Sequence, residues 1–430
     1  MRKEQRAFVV DVVGQWLTSG QSPRDAMAAR AEIRRLPAAS RAEVARVAAQ
    51  VIAQQRWLSF ARNEAVLQSP SPRVAAERLL EAHHQLAGDA AALADARARC
   101  AAIADPIVRL ATRRSLPDWL AGEFVACHGD GADGLLQALG EPAARTVRAN
   151  LLRVPSREHL AARLVALGIE TEPGRHAPWA LHVRGEQDLF DTAAYRDGAF
   201  EQQDEASQLA ALVAAPPPGG RVLDLCAGSG GKTLALAAML ANKGQVLATD
   251  VSERRLDALR TRLARAGADN VQVRALSGTD LPREVAAFAA RADRILVDAP
   301  CSGTGSWRRR PEARWAVDPA GLAALQATQD GLLDAAAACL RPGARLVYAT
   351  CSVLRGENEA RIEALRRRSP ELELVRVAEV LGGSCAAPIA DPTGTFLQLR
   401  PDRHGCDGFF AAILRRPRPR GLRETPDVGR

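Results

Sequence analysis

Two cysteines, Cys301 and Cys351, each follow a short apolar stretch of the sequence and could supply reactive thiols. Cys301 lies in "VDAPCSGTG", residues 297–305, and Cys351 lies in "LVYATCSVLRGENE", residues 346–359. Such stretches are typical of buried strands, and open α/β sheets bind ligands where their strands end. A lone cysteine there is more often a small apolar side chain, but two that face one crevice indicate covalent chemistry through a nucleophilic thiolate.

A glycine-rich loop supplies the second chemical signal. The sequence "VLDLCAGSGGKTLALAAML", residues 222–240, predicts a strand, a turn and a helix. Its end resembles a phosphate-binding P-loop, but Cys226 stands where the first glycine of that motif belongs. A nucleoside-type cofactor needs the same glycines and an acid at the end of the next strand. Asp250 follows Gly228 by 22 residues, which favours the nucleoside interpretation.

The elements that must position these residues follow an alternating order. From Gln203 onward, apolar strand patterns alternate with helical ones, which predicts a mostly parallel sheet with helices on both faces. Apolar residues spaced three and four apart predict helices before about Arg114, and mixed patterns follow. The predicted domains are a helical domain (1–115), a small α/β module that binds RNA or links the domains (116–202), an α/β catalytic domain (203–416) and a basic tail (417–430).

Composition narrows the class of protein. No apolar run is long enough for a membrane helix and no signal-peptide core follows the first residues, so we expect a cytoplasmic enzyme without a membrane partner. The eight cysteines are scattered without zinc spacing, which predicts reduced thiols and no metal site. The net charge of +8 fits a polyanionic partner, but the excess is nearly all arginine and fits a compositional bias equally well.

Taken together, the motifs resemble those of the RNA (cytosine-5) methyltransferases of the Nol/Nop/Sun group, closest to the bacterial RsmB-like 16S rRNA enzymes. The resemblance covers 203–416 and also rests on "LATDVSERRL", "RRRPEARW" and "HGCDGFF". It implies an α/β fold with a class I (Rossmann-like) methyltransferase domain, preceded by a small α/β module and by a helical domain with a faint similarity to NusB-like domains. It also implies S-adenosyl-L-methionine as cofactor and RNA as partner. A monomer is our expectation for the oligomeric state.

The resemblance assigns roles residue by residue. Cys351 would be the nucleophile that adds to cytosine C6, and Cys301 would help its release. Asp298 would lie between the cofactor and the base. The nucleophilic thiol must be partly ionised, and on physical grounds we expect Lys232 or a nearby arginine to lower its pKa. The cofactor-binding residues would be Cys226, Ala227, Gly228, Ser229, Gly230, Gly231, Lys232, Asp250, Arg255, Ser277 and Asp298.

Two positions depart from the family pattern. The loop reads Ala-Gly-Ser-Gly at 227–230 where the family commonly has Ala-Ala-Pro-Gly, which loosens the turn but keeps its amides. Ser277 stands where an ungapped comparison expects an aspartate that faces the adenine, and Asp280 would replace it after a short shift. These departures are also compatible with a noncatalytic RNA-binding or assembly protein.

The substrate and one basic stretch each allow more than one interpretation. Ribosomal RNA is the expected substrate, but a transfer RNA substrate would use the same catalytic residues. A different class of protein, a P-loop ATPase, would bind a nucleoside triphosphate instead of S-adenosyl-L-methionine. The stretch "SWRRRPEARW", residues 306–315, would hold RNA phosphates, with Trp307 or Trp315 packing nearby, or else form a solvated basic face.

Overall fold

The computed structural model describes residues 1–185 and 187–418, and its chain divides into two compact units. One unit contains Met1–Pro142 together with Ser306–Gly321, and the other contains Ala143–Gly305 and the chain from Leu322 onward. The predicted domain limits at 115, 202 and 416 stay predictions, and the predicted basic tail lies outside the described residues from residue 419 onward.

The first unit is helical. Its helices are α1 (Lys3–Ser19), α2 (Pro23–Ala28), α3 (Ala31–Arg35), α4 (Ala38–Ala53), α5 (Gln55–Ala61), α6 (Pro72–Gly88), α7 (Ala90–Ala101), α8 (Pro106–Arg114), α9 (Asp118–His128) and α10 (Ala132–Ala138). Local chemistry sets where several of them begin. Ser71 and Asp105 accept hydrogen bonds from the first turns of α6 and α8, and each is followed by a proline that suits the first helical position.

A segment from far along the chain completes this helical unit. Within 306–321, Trp307 is buried with its ring centroid 5.4 Å from that of Phe124 in α9. The guanidinium of Arg314 lies over the Trp307 ring and donates to a backbone carbonyl at 2.9 Å, while Trp315 packs against the helical core. Trp307 and Arg314 are therefore structural residues, and their burial removes them from the predicted contact with RNA phosphates.

We predict that Trp307→Ala loosens the helical unit by about 3–5 kcal/mol, because truncation of a buried tryptophan leaves a cavity. Hydrogen exchange of the α9 amides in the full chain measures the effect, and each 1.4 kcal/mol lost speeds exchange through local opening about tenfold. Arg309→Ala, in the same segment but exposed, is the matched control. Unchanged α9 protection in Trp307→Ala would contradict the structural role of this residue.

The second unit begins with a small α/β module. Its elements are β1 (Arg145–Ala149), α11 (Arg157–Val165), β2 (Thr171–Pro173), β3 (Ala180–Val183), α12 (Ala193–Arg196) and β4 (Phe200–Gln202). The four strands form an antiparallel sheet in the order β2-β3-β1-β4. One face of β1 contributes Val147 and Ala149 to the apolar core of the module, with Leu160 and Leu164 of α11.

The remaining strands of this unit form its larger sheet, and helices alternate with them along the chain. They are α13 (Glu205–Leu212), β5 (Arg221–Asp224), α14 (Gly231–Met239), β6 (Gln245–Asp250), α15 (Glu253–Ala266), β7 (Val271–Ala275), α16 (Arg283–Ala289), β8 (Arg294–Asp298), α17 (Pro319–Cys339), β9 (Arg345–Thr350), α18 (Glu359–Arg368), β10 (Glu373–Val375), α19 (Val377–Leu381), α20 (Gly383–Ala386), β11 (Leu397–Leu399), α21 (Pro401–His404) and β12 (Phe409–Arg415).

The strand order of this sheet is β7-β6-β5-β8-β9-β12-β10, with β11 paired to β12. Strands β5 to β9 are parallel, and β12 is antiparallel to β9. Both faces are buried: in β8, Leu296 faces one apolar core while Ile295 and Val297 face another. This arrangement confirms the predicted α/β fold with a Rossmann-like domain. Among the described residues, no helix has the length and apolar character needed to cross a membrane.

The strand order reverses at β5, which identifies where this sheet binds ligands. From β5 the chain adds β6 and β7 on one side and then returns to add β8 and β9 on the other. The loops that leave β5 and β8 therefore diverge and open a crevice at the carboxyl edge, the usual ligand site of such sheets. The predicted cofactor loop follows β5, and the two predicted catalytic cysteines follow β8 and β9.

Candidate active site

The loop after β5 leaves room for a ligand against its backbone. Gly228 and Gly230 have φ of 56° and 87°, a left-handed conformation that favours glycine. A Cβ at Gly230 would overlap the side chain of Leu259, whereas a Cβ at Gly228 would meet open space. A ligand can approach the main chain at Gly228, as a nucleoside-type cofactor requires. Gly231 then begins α14.

Asp250 ties the end of β6 to this loop. One oxygen of its buried carboxylate accepts from the Gly228 amide at 2.9 Å, and the other accepts from the Ser252 amide at 2.8 Å. Each oxygen has a second lone pair, so the carboxylate can still accept from ribose hydroxyls. The structure thus brings together Gly228 and Asp250, which the sequence assigns to the same cofactor.

Lys232 and Asp298 form an ion pair across the switch point. The Lys232 ammonium, in the first turn of α14, donates to the Asp298 carboxylate at 2.6 Å. It also lies 4.7 Å from the centroid of the Phe409 ring, so an aromatic face lines its other side. Phe409 belongs to the quoted motif "HGCDGFF", but no sequence pattern predicts its contact with Lys232.

The two thiols lie in contact. The sulfurs of Cys301 and Cys351 are 3.4 Å apart, within hydrogen-bond distance for thiols. The hydrogen bond between them raises the pKa of Cys301, with burial acting in the same direction, and lowers the pKa of Cys351. Burial and Asp298 oppose the lowering at Cys351, while the positive charge of Lys232 supports it. Either sulfur can donate in this geometry, and the opposite pKa shifts favour Cys351 as the thiol that ionises with Cys301 as its donor.

Lys232 is only a secondary cause of the lowered pKa of Cys351. It acts in the direction expected of a nearby cation, but the larger cause is the hydrogen bond with Cys301. The contact between residues on two different strands has no signature in sequence spacing. Only the parallel pairing of β8 with β9 brings them together.

Asp224 is a titratable residue of the site to which the sequence motifs assign no role. Its side chain is fully buried at the end of β5, and it accepts a hydrogen bond from the Thr233 hydroxyl at 2.7 Å. Burial raises the pKa of the Asp224 carboxyl to about 7, although Thr233 acts in the opposite direction. Its position before the glycine loop was the available signal. Asp224 is largely uncharged below neutral pH.

The remaining cofactor-binding candidates lie around the loop but differ in their surroundings. Burial, followed by the nearby carboxylates, raises the pKa of Cys226, so this thiol stays protonated. The Ala227 amide donates to the Thr249 carbonyl at 2.8 Å, and the Ser229 carbonyl accepts from Arg262 at 2.5 Å. These bonds fix the loop to β6 and α15.

Arg255 and Ser277 lie at the two neighbouring strand ends. Both are exposed, Arg255 in the first turn of α15 and Ser277 just after β7. Asp280, the predicted substitute for Ser277, is also exposed in that segment. Within the part of the chain that the structure describes, no hydrogen bond joins these three side chains to the loop. Their cofactor contacts stay predictions.

Across 1–185 and 187–418, no cluster of three or more His, Cys, Asp or Glu side chains suits a metal ion.

The fold and this edge of the sheet define a class I methyltransferase, and comparison with known proteins gives its family. The family described as 16S rRNA methyltransferase RsmB/F matches residues 211–415, and its ferredoxin-like domain matches 116–189. A putative methyltransferase of Mycobacterium tuberculosis is 38% identical over 73% of this chain and 66% of its own length. The probable ribosomal RNA small subunit methyltransferase B of Bacillus subtilis is 32% identical over 73% of this chain and 69% of its own length.

A solved structure agrees with this result. The methyltransferase homologue from Pyrococcus horikoshii has a TM-score of 0.62 and 28% identity, and the match covers 73% of this chain and 99% of that one. The chain belongs to the RsmB/F family, which confirms the resemblance inferred from the motifs and, at the level of the family, the predicted cofactor S-adenosyl-L-methionine. No support remains for a P-loop ATPase.

We predict that Asp224→Asn changes how stability depends on pH. A folded-state pKa of about 7, above the ordinary 3.8, means that the native protein holds a proton that the unfolded chain releases. The free energy of unfolding of the wild type should therefore fall between about pH 4 and pH 7, by up to about 4 kcal/mol at 1.36 kcal/mol per pKa unit. Asparagine cannot ionise, so the variant lacks this loss.

Denaturant unfolding at pH 4.5, 6 and 8 measures the difference between the two proteins. The free energy of unfolding of the variant, relative to that of the wild type, should rise from pH 4.5 to pH 7 and stay at the higher value at pH 8. Asp280→Asn, at an exposed residue, is the control. A difference that stays constant over this range would mean that Asp224 titrates normally.

Proposed function

We propose that the protein transfers a methyl group from S-adenosyl-L-methionine to C5 of a cytosine in RNA, through a covalent bond between Cys351 and C6 of that base. The observation that carries this proposal is the contact of the two thiols at 3.4 Å, with the pKa of Cys351 lowered and that of Cys301 raised. One ionisable and one protonated thiol at a ligand-binding edge suit nucleophilic attack followed by proton transfer.

Cys351 carries out the first step. Cytosine C5 is a poor nucleophile while the ring is aromatic, so it needs activation. The Cys351 thiolate adds to C6, the C5–C6 double bond is lost, and electron density moves to C5. With Cys301 as donor, the hydrogen bond between the two sulfurs would stabilise the thiolate before the attack.

The bound cofactor supplies a sulfonium methyl that C5 can take. The residues of this chain that would hold it are Gly228, where the backbone is open to a ligand, and Asp250, whose carboxylate can accept from ribose hydroxyls. The amides at the start of α14 and the side chain of Lys232, in the first turn of that helix, would lie beside the same cofactor.

Cys301 serves the last step. Once C5 carries the methyl group, removal of the C5 proton re-forms the double bond and expels Cys351 as a thiolate. Cys301 lies in contact with Cys351 and so lies close to the base attached to it. Once Cys301 has given its own proton to solvent, its thiolate can accept the C5 proton, and the raised pKa of this thiol makes that thiolate the stronger base. Its protonated resting state matches its role as donor to the free Cys351 thiolate.

The Lys232–Asp298 pair acts between these groups. Asp298 ends β8, three residues before Cys301, and would lie beside cytosine N3. A proton taken from solvent and shared between the carboxylate and N3 would neutralise the charge that builds up on addition. Lys232 holds the Asp298 carboxylate in place at 2.6 Å and supports the Cys351 thiolate electrostatically.

Ribosomal RNA is the substrate that the comparisons favour. The family is described by its action on 16S rRNA, and the Bacillus subtilis relative is named as a small-subunit rRNA methyltransferase. A target base inside a folded RNA must leave its stack to reach Cys351, at a cost of roughly a few kcal/mol. The positively charged chain and its small module would offset this cost through contacts with the RNA backbone.

We predict that purified protein transfers a labelled methyl group to cytosine in ribosomal RNA and so forms labelled 5-methylcytosine, and that Cys351→Ala abolishes this because the addition step is lost. Cys301→Ala should instead trap RNA on the protein, since the adduct forms but is not released. Mass spectrometry of digested RNA measures methylation, and denaturing gels of labelled RNA measure the adduct.

Cys385→Ala is the control, because Cys385 is exposed and does not belong to the site. Substantial methylation by Cys351→Ala would refute the assignment of the nucleophile. Label found in transfer RNA but not in ribosomal RNA would mean that transfer RNA is the substrate. Cofactor binding without methylation of RNA or small ribosomal subunits would favour a noncatalytic RNA-binding protein.

A further inference from the structure

Two consecutive residues, Glu357 and Asn358, lie between the thiol-bearing loops and take no part in the chemistry proposed above. Glu357 ends the short 3-10 turn Arg355–Glu357, and Asn358 follows it. Both are buried, and the Glu357 side chain is fully enclosed. A buried carboxylate is costly unless it is fully hydrogen-bonded, so its partners show what it stabilises.

The partners of Glu357 lie on both sides of Cys301. Its carboxylate accepts from the backbone amide of Ser302 at 2.8 Å and from the Ser302 hydroxyl at 2.5 Å. It also accepts from the Gln329 side-chain amide at 3.1 Å, and that amide donates to the Pro300 carbonyl at 2.9 Å. The residues directly before and after Cys301 are therefore both fixed, one by Glu357 and the other by the Gln329 that Glu357 orients.

Asn358 likewise fixes the residues on both sides of Cys351. Its side-chain oxygen accepts from the Thr350 hydroxyl at 2.5 Å, and its side-chain nitrogen donates to the Ser352 carbonyl at 3.0 Å. Thr350 and Ser352 flank Cys351 in the chain. The backbone carbonyl of Glu357 also accepts from Tyr348 in β9 at 2.6 Å, which fastens the turn itself to the strand.

Adjacent positions thus hold the two thiols from one short turn. The loops belong to different strands, and the 3.4 Å contact of their sulfurs depends on both loop conformations at once. The charge of Glu357 has a second effect, because it raises the pKa of Cys301 and helps to keep the proton on that thiol. A catalytic group must usually be held within about 0.5 Å of its working position.

We propose that Glu357 and Asn358 are positioning residues, Glu357 for Cys301 and Asn358 for Cys351, which together set the contact between the two thiols. This inference rests on the proposed function, in which the thiols have different steps. It therefore gives the two neighbours different consequences. Loss of Glu357 impairs release, and loss of Asn358 impairs attack.

The experiment compares Glu357→Ala and Asn358→Ala with Cys301→Ala and Cys351→Ala in the full chain, with transcribed 16S rRNA and S-adenosyl-L-methionine. Glu357→Ala should accumulate the RNA adduct as Cys301→Ala does, whereas Asn358→Ala should lower kcat up to about 100-fold without adduct, because a small misplacement of a nucleophile costs this much. The KM for the cofactor should stay unchanged in both. Glu357→Gln keeps an acceptor for Ser302 and should recover most of the release.

Glu359→Gln is the matched control, since Glu359 lies next in the chain but bonds to Gln398 at 3.2 Å. Thermal unfolding checks that each variant folds. If the cysteine variants behave as described but Glu357→Ala and Asn358→Ala turn over as the wild type does, the positioning role is wrong. If the cysteine variants themselves fail to show their phenotypes, the proposed function is wrong instead.

A second measurement does not depend on activity. Diamide accepts the two hydrogens of a thiol pair and is reduced to a hydrazine while one disulfide forms. In the wild type, Cys301 and Cys351 should be joined rapidly, because the sulfurs already touch and need only approach to bonding distance. Glu357→Ala and Asn358→Ala should slow this reaction about tenfold through a lower effective concentration of one thiol at the other. Equal rates in wild type and both variants would overturn the proposal.

Discussion

The parallel pairing of β5, β8 and β9 is the constraint on which the rest of the site depends. Asp224 lies opposite Leu296, and Asp298 lies opposite Ala349. Neighbouring strands lie about 4.8 Å apart, so loops that leave these carboxyl ends begin within reach of one another. The strand pairing brings together the cofactor loop, the ion pair and both thiols. The loops then decide only the fine geometry.

Because these strand ends lie close together, several acidic side chains surround Cys351, and most of their negative charge is neutralised. A thiolate at Cys351 is disfavoured by burial and by the carboxylates of Asp298 and Glu357, which raise its pKa. Asp298 is neutralised by Lys232, and burial keeps Asp224 largely protonated below neutral pH. Another unpaired negative charge here would oppose the ionisation that attack requires. The Lys232–Asp298 ion pair and the protonation of Asp224 thus limit the negative charge around Cys351, the thiol that we propose as the nucleophile.

The sequence predicts much of this arrangement, and its failures have identifiable causes. Alternating apolar patterns predicted the parallel sheet, and the acid at Asp250 was placed beside the glycine loop because spacing along adjacent strands is regular. The contact of Cys301 with Cys351 depends on pairing between strands, which local patterns do not encode. The destination of 306–321 could not be predicted either, because basic and aromatic residues fit a buried anchor as well as an RNA-binding face.

The polar ties between the small module and the cofactor loop argue against an independent module. Glu201 of β4 pairs with Arg262 at 2.8 Å, and Arg262 donates to the Ser229 carbonyl of the loop. The fully buried Arg148 of β1 donates to Gln203 at 2.7 Å, at a cost shown by its pKa, which burial lowers to about 10. Buried charges give weak net stability but demand one arrangement of their partners. The small module, for which the sequence predicts either RNA binding or a linking role, therefore helps to define the shape of the predicted cofactor loop.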